Sequence, residues 1–380
     1  MKIKINLSLP FKLFVFVVVV MSCNNQSENK IKTINLLEFS KTVKIPLDEK
    51  STYEFYNFQV RNDTLIVLNQ PNNSLDFYNL TTENLFHRIY IPAEGETGIQ
   101  KLYGFHFYNN DTIFTFSQFR INNVKIFNFE GNYRSTLTVN NSFAGMYGII
   151  NHASIPSMPT YFFGKKLFFQ ILPGFDEEMI QDNFIHEFIF DIYSGEIYPD
   201  STIVKPKTLQ NTPAYTYGVN RIKLSENETI YSWKFSDSIS YVFEDEDNLI
   251  STLSFFWGDG DLIKVKPGLE MSNEETQKSK ANSIQYGKVV FDNHSGHIHR
   301  IKFLPVDEVL TGNLFLIRDF EIISGDKNGN LLGKTVFKGK KYDPRVLFFG
   351  PDGIYIPKIN PNFENLTEDF IEYDVFQIIK

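Results

Sequence analysis

Cysteine is almost missing from this chain. Cys23 is the only one in 380 residues, so no intramolecular disulfide and no cysteine-based zinc site can form. The short signatures of common catalysis are missing as well. There is no G-x-S-x-G, no H-E-x-x-H and no G-x-x-x-x-G-K-[ST]. A basic excess is also lacking: 37 Lys and Arg stand against 45 Asp and Glu, for a net charge of −8. That balance argues against nucleic acid or anionic lipid as a partner. No apolar run is long enough to cross a bilayer as a helix. Leu13–Met21, LFVFVVVVM, has nine residues where about 20 are needed.

What the chain does have is aromatic and strand-forming material. Aromatics make up 16% of the residues, with 38 Phe among them. A body of this composition has ample apolar surface for a core.

The N-terminus reads as a secretory signal. Lys2, Lys4 and Lys12 precede the apolar run, which ends in VMSC at Val20–Cys23. This ending resembles the lipobox of bacterial lipoproteins, in which the cysteine becomes the lipidated first residue. Residues 1–22 are expected to be removed, Cys23 to carry the lipid, and residues 23–33 to act as a polar tether. Removal takes three Lys and no acid, which brings the net charge to −11. Asn24 follows the cysteine at the position of an inner-membrane retention Asp. The expectation is therefore an outer-membrane anchor facing the periplasm, with surface exposure left open.

The body is repetitive. NDTLIVLNQ at 62–70 and NDTIFTFSQ at 110–118 share N-D-T-[LI]-x4-Q at a spacing of 48. Weaker echoes follow at 164–170, 227–235 and 351–359. Turn clusters followed by short β-branched or aromatic runs, at a period of 40–50 residues, indicate propeller blades. The pattern predicts an all-β, six-bladed β-propeller as a single domain over 34–380. The last blade is one strand short, and residues 34–47 have no partner of their own. Pairing that segment into the last blade would close the ring.

The lipobox, the blade spacing, IPAEGETGIQKLYGF at 91–105 and YGKVVFDNHSGHIHRI at 286–301 together resemble a bacterial lipoprotein propeller family, domain of unknown function 4221. The resemblance covers nearly the whole mature chain. It implies the propeller fold and lipid anchoring, and it brings no activity and no functional residue.

Two candidate sites follow from the residues. The first is FDNHSGHIHRI, which holds three of the seven histidines. With a two-residue turn at Ser295-Gly296, Asp292, His294, His297 and His299 share one face and would suit a divalent metal. With a four-residue loop NHSG, His294 leaves that face. The second is the propeller end that gathers the longer loops, which carry Glu94, Glu96, Asp176, Tyr215, Tyr217, Asp259, Asp261 and Arg345. Loops on a rigid scaffold are where binding tends to reside, and this acidic, aromatic set suggests a cationic, sugar or peptide ligand. The first functional reading is a non-enzymatic binding or scaffolding platform for a protein or small ligand, with no cofactor required. The alternative is a hydrolase or lyase at the funnel mouth, of which a metal-dependent site at residues 292–299 is one version.

Overall fold

The structure is a computed structural model. It describes residues 35–117, 123–139, 154, 156, 158–171, 184–209, 218–244, 249–257, 275, 278–279, 281–306, 314–364 and 366–379. Among these, the strands form six four-stranded antiparallel sheets. Each sheet is a meander, and successive sheets are neighbours through their first strands, giving a six-bladed β-propeller.

Blade 1 is β2 (Phe58–Arg61), β3 (Thr64–Asn69), β4 (Ser74–Asn79) and β5 (Asn84–Tyr90). Blade 2 is β6 (Leu102–Asn109), β7 (Thr112–Ser117), β8 (Asn123–Phe127) and β9 (Tyr133–Thr138). Blade 3 is β10 (Tyr161–Phe163), β11 (Lys166–Gln170), β12 (Glu187–Asp191) and β13 (Ile197–Asp200). Blade 4 is β14 (Val219–Lys223), β15 (Glu228–Trp233), β16 (Ser238–Glu244) and β17 (Ile250–Phe256). Blade 5 is β18 (Gln285–Phe291), β19 (Ile298–Phe303), β20 (Phe320–Gly325) and β21 (Leu331–Phe337). Blade 6 takes β22 (Phe348–Gly350), β23 (Gly353–Pro357) and β24 (Phe370–Ile378) from the C-terminus. Its outer strand is β1 (Leu37–Pro46), from the start of the body. β1 runs antiparallel to β24 from Leu37↔Ile378 to Pro46↔Phe370. The ring therefore closes as the unpaired segment 34–47 requires.

The second strand of each blade explains the near-continuous apolar runs. β3, β7, β11, β15, β19 and β23 are buried over almost their whole length, because neighbouring blades cover both faces. The outer strands β5, β9 and β17 are largely exposed. Apolar clusters fill the interfaces between blades. One joins Val43, Ile45 and Tyr373 of blade 6 to Leu65, Val67 and Tyr78 of blade 1. Another joins Ile230 and Ile239 of blade 4 to Val289 and Ile298 of blade 5. Each fully buried side chain of this kind contributes about 1.5–3 kcal/mol.

The meander sorts the connections by end. The turns from strand 1 to strand 2 and from strand 3 to strand 4 lie at one end of the ring. The strand 2–3 loops and the blade-to-blade crossings lie at the other. The repeated N-D-T sits at the first kind of turn. Asn62 has φ +51 there, a left-handed conformation that Asn tolerates well.

Candidate functional site: the central channel

The histidine hairpin adopts the four-residue loop. Phe291 pairs with Ile298 and Val290 with His299, the Asp292 N–H donates to the His297 carbonyl at 2.9 Å, and the Gly296 N–H donates to the Asp292 carbonyl at 2.8 Å. The Asp292 carboxylate holds the loop itself, accepting from the His294 N–H at 2.7 Å and from the Ser295 hydroxyl. His294 is turned out and exposed. His297 and His299 remain on one face, their ring centroids 6.4 Å apart. His299 is buried, with Nδ1 2.7 Å from Ser324 Oγ and its ring parallel to Phe349. The four residues therefore do not converge. Among the described residues no group of three or more His, Cys, Asp or Glu is placed to hold a metal ion. The hairpin also lies at the end of the ring opposite the long loops.

Of the loop residues, Glu94 and Glu96 are exposed in the crossing from blade 1 to blade 2. That crossing is anchored by Lys125 Nζ, which donates to the carbonyls of Glu96 and Gly98 at 2.7 and 2.5 Å. Arg345 is held by Asp343 through Nε at 2.8 Å and Nη2 at 2.6 Å, and its guanidinium lies over the Tyr56 ring. It braces the entry to blade 6 and does not present a free charge. Asp176, Tyr215, Tyr217, Asp259 and Asp261 lie outside the described residues, as does Cys23.

A cavity lies on the propeller axis, forming its channel. Its volume is about 450 Å³, and its wall comes from the first strands of all six blades. The wall is aromatic, with Phe58, Phe105, Tyr108, Tyr161, Phe348 and Phe349 among its residues. Set into it are four cations, Arg61, Arg221, Lys223 and Lys288. None of these was singled out by sequence.

Two of the four are neutralised within the protein. Arg221 of blade 4 contacts the Glu187 carboxylate of blade 3 through Nε, and its Nη1 donates to the Pro159 carbonyl at 2.7 Å. Lys223 Nζ lies 3.6 Å from Glu187 and 3.7 Å from Asp200, and donates to Thr229 Oγ1 at 2.9 Å. Burial pushes the Glu187 carboxyl up, and Arg221 and Lys223 offset only part of that rise. Two cations and two carboxylates thus form a buried cross-blade network, which is costly to break at any single member.

The other two have no carboxylate partner among the described residues. Arg61, at the end of β2, donates to the Phe107 carbonyl at 3.3 Å and is otherwise exposed to the channel. Burial lowers its pKa, and the Tyr161 and Tyr108 hydroxyls offset part of that. Lys288 sits in a β-bulge. Gly287 and Lys288 together oppose the single residue Ile301, between the pairs Tyr286↔Lys302 and Val289↔Arg300. A Cβ at Gly287 would come 2.8 Å from the Phe303 ring, so glycine permits the bulge that turns Lys288 to the axis. Its Nζ donates to the Leu347 carbonyl at 2.7 Å and lies 4.8 Å from the Phe58 ring centroid. Burial, with no opposing charge, pushes the amine down to about 7. Phe58 and Arg61 are three residues apart in β2, about 10 Å and on alternate faces, so Lys288 lies on the Phe58 side of this strand and Arg61 on the side toward Phe107 of blade 2. Beside Arg61 lies His106, buried, with no hydrogen-bond partner for Nε2 among the described residues. Burial and the Arg61 charge push His106 down to about 3, so it is neutral near pH 7.

No protein-family model matches this sequence, and no curated protein does. Solved structures do match. A member of the duf4221 family from Bacteroides vulgatus ATCC 8482 superposes with a TM-score of 0.76 at 17% identity, over 91% of this chain and 99% of that one. A protein from Bacteroides fragilis NCTC 9343, described as exported, has a TM-score of 0.50 at 12% identity, over 92% and 97%. Streptogramin B lyase aligns at a TM-score of 0.41 and 8% identity, over 89% and 98%. That likeness is too loose to carry an argument about activity. Likeness to the family whose motifs the sequence resembles therefore holds at the level of the fold, a six-bladed β-propeller.

Proposed function

We propose that this protein is a lipid-anchored envelope binding module whose propeller channel takes up a small organic anion with an aromatic or apolar body. One observation carries the reading. Arg61 and Lys288 face the channel without carboxylate partners among the described residues, in a chain whose net charge is −8. Lys288, desolvated beside the Phe58 ring, is costly to keep charged, and a bound anion offsets that cost. The aromatic wall supplies apolar contact, and the two cations supply orientation, the usual division of labour in a ligand pocket. This charge sign is opposite to the one suggested by the acidic loops. Lipidation at Cys23 and placement in the envelope, facing the periplasm, rest on the lipobox VMSC and its flanks.

The test is calorimetric titration of the full-length chain with mandelate, phenethylamine and glucose. The carboxylate should bind, and Arg61→Gln should weaken it about tenfold or more, the loss of one charge-assisted hydrogen-bond pair. Equal or tighter binding of the amine or the sugar would overturn the reading.

A further inference from the structure

The inference concerns Lys288 and rests on the reading of the channel as an organic-anion site. We propose that Lys288 is a covalent capture site, whose Nζ condenses reversibly with the carbonyl carbon of a 2-oxo acid held in the channel.

The geometry singles out this lysine. The Gly287-Lys288 bulge turns it toward the axis, and bulges characteristically re-aim a side chain near functional sites. The one hydrogen bond described for Nζ runs to a backbone carbonyl, that of Leu347. That acceptor is uncharged, so it does not lock the nitrogen into its ammonium form as a carboxylate would. The neighbouring Phe58 face excludes water from one side. Lys223, on the same channel wall, lies instead 3.6 Å from Glu187 and 3.7 Å from Asp200. Burial that favours the neutral amine agrees with this contrast, and a desolvated lysine is the usual form of an imine-forming amine. Arg61, on the blade 1 wall of the same channel, is the cation offered to the acid's carboxylate.

The step balances without an outside oxidant. The nitrogen lone pair forms the C–N bond, and the carbonyl π pair moves to oxygen, which takes a proton from nitrogen to give a carbinolamine. Loss of that hydroxyl with a second proton releases one water and leaves a C=N bond. Hydrolysis reverses the sequence and frees the ligand.

The test uses the full-length chain with benzoylformate and sodium cyanoborohydride at pH 7, followed by peptide mapping. Cyanoborohydride adds hydride to the C=N bond and fixes the adduct, whose mass is that of benzoylformic acid less one oxygen atom. Lys338, whose side chain is 86% exposed, is the internal reference. Lys288 should be modified at least about tenfold faster than Lys338, because much of it is neutral at this pH whereas an ordinary lysine is almost wholly protonated. Mandelate, with an alcohol in place of the carbonyl, should slow labelling at Lys288 and not at Lys338. Labelling of Lys288 no faster than Lys338 overturns covalent capture. If mandelate still binds in that case, the anion site stands alone. If mandelate does not bind, the channel reading is the one that fails, and selective labelling of Lys288 would then leave capture standing without it. None of these readouts requires a variant to fold.

Discussion

Thr42 and Asp374 are 332 positions apart in sequence, yet Thr42 Oγ1 donates to Asp374 Oδ1 at 2.8 Å. The contact crosses the β1–β24 pairing that closes the ring. Asp374 also accepts from Lys341, Tyr342 and Lys358, each at 2.8 Å. Burial would raise this carboxyl, but these donors win and hold it at about 2. Asp374→Ala would leave the buried Tyr342 hydroxyl without its acceptor and Lys358 with Glu372 alone, and should cost about 1–3 kcal/mol in urea denaturation. A loss below about 1 kcal/mol would show that the closure does not depend on this network.

The same closure predicts the effect of one buried charge. Val43 is fully buried, pairs with Tyr373, and packs against blade 1. Val43→Asp places a carboxylate in that seam with no partner, which costs several kcal/mol. Limited proteolysis should then cut within residues 37–46 much faster than in the wild type, because β1 is the one blade-6 strand that reaches its sheet from the far end of the chain. Resistance equal to that of the wild type would mean that the other three strands hold blade 6 alone.

Much of this frame is legible because blade turns need particular residues. The N-D-T turns fall at Asn62 and Asn110, and the apolar runs that follow them in the two repeats are β3 and β7. The hairpin at 292–297 stayed ambiguous for a physical reason. Ser295-Gly296 suits a two-residue turn as well as the end of a four-residue loop, and the choice is made by the Asp292 side chain binding the loop backbone. The channel was not legible. Arg61, Arg221 and Lys288 come from blades 1, 4 and 5, and only ring closure brings them to one axis. Glu187 and its partner Arg221 belong to successive blades, so no local pattern pairs them. One local signal did exist. Gly287 inside an apolar strand pattern marks a bulge, and the residue after it is the lysine that the bulge delivers.

Trp257 gives an optical report on the interface of blades 4 and 5. Its Nε1 donates to the Gly329 carbonyl at 3.0 Å, and a Cβ at Gly325 would overlap its ring and approach the Asn330 carbonyl to 2.7 Å. Gly325→Ala should cost about 1–3 kcal/mol by overpacking and shift tryptophan emission to the red as the ring is displaced. Trp233, the other tryptophan, is 1% exposed and should keep its blue-shifted contribution. An unchanged spectrum with unchanged stability would contradict the packing described.

Three buried histidines set the response to acid. Burial is the first cause in each case and pushes His106 and His186 down to about 3 and His299 to about 4. Their folded values lie below the unfolded value near 6.5, so in that window the unfolded chain binds protons that the folded chain refuses. Stability should therefore fall as pH drops from about 6.5 toward 4, by no more than about 3 kcal/mol per histidine at pH 4. His299→Phe should flatten part of this slope in urea titrations at pH 7, 6, 5 and 4. The same slope in the variant would assign the acid response elsewhere.

Lys288 makes the opposite end of the pH range informative. Its folded value is about 7, against an ordinary 10.5. Between these values the unfolded chain keeps a proton that the folded chain has released, so stability should rise with pH across that window. Lys288→Met removes the group, and its stability should lack this rise while exceeding that of the wild type near pH 7, where burying the ammonium is most costly. The expected difference in slope amounts to about 3 kcal/mol at most once channel water is allowed for. A bound carboxylate would return the amine to its charged form and raise its pKa. Saturating mandelate should therefore flatten the wild-type rise and leave Lys288→Met unaffected. If mandelate raises wild-type stability by the same amount at pH 7 and pH 9, the anion does not sit against this amine.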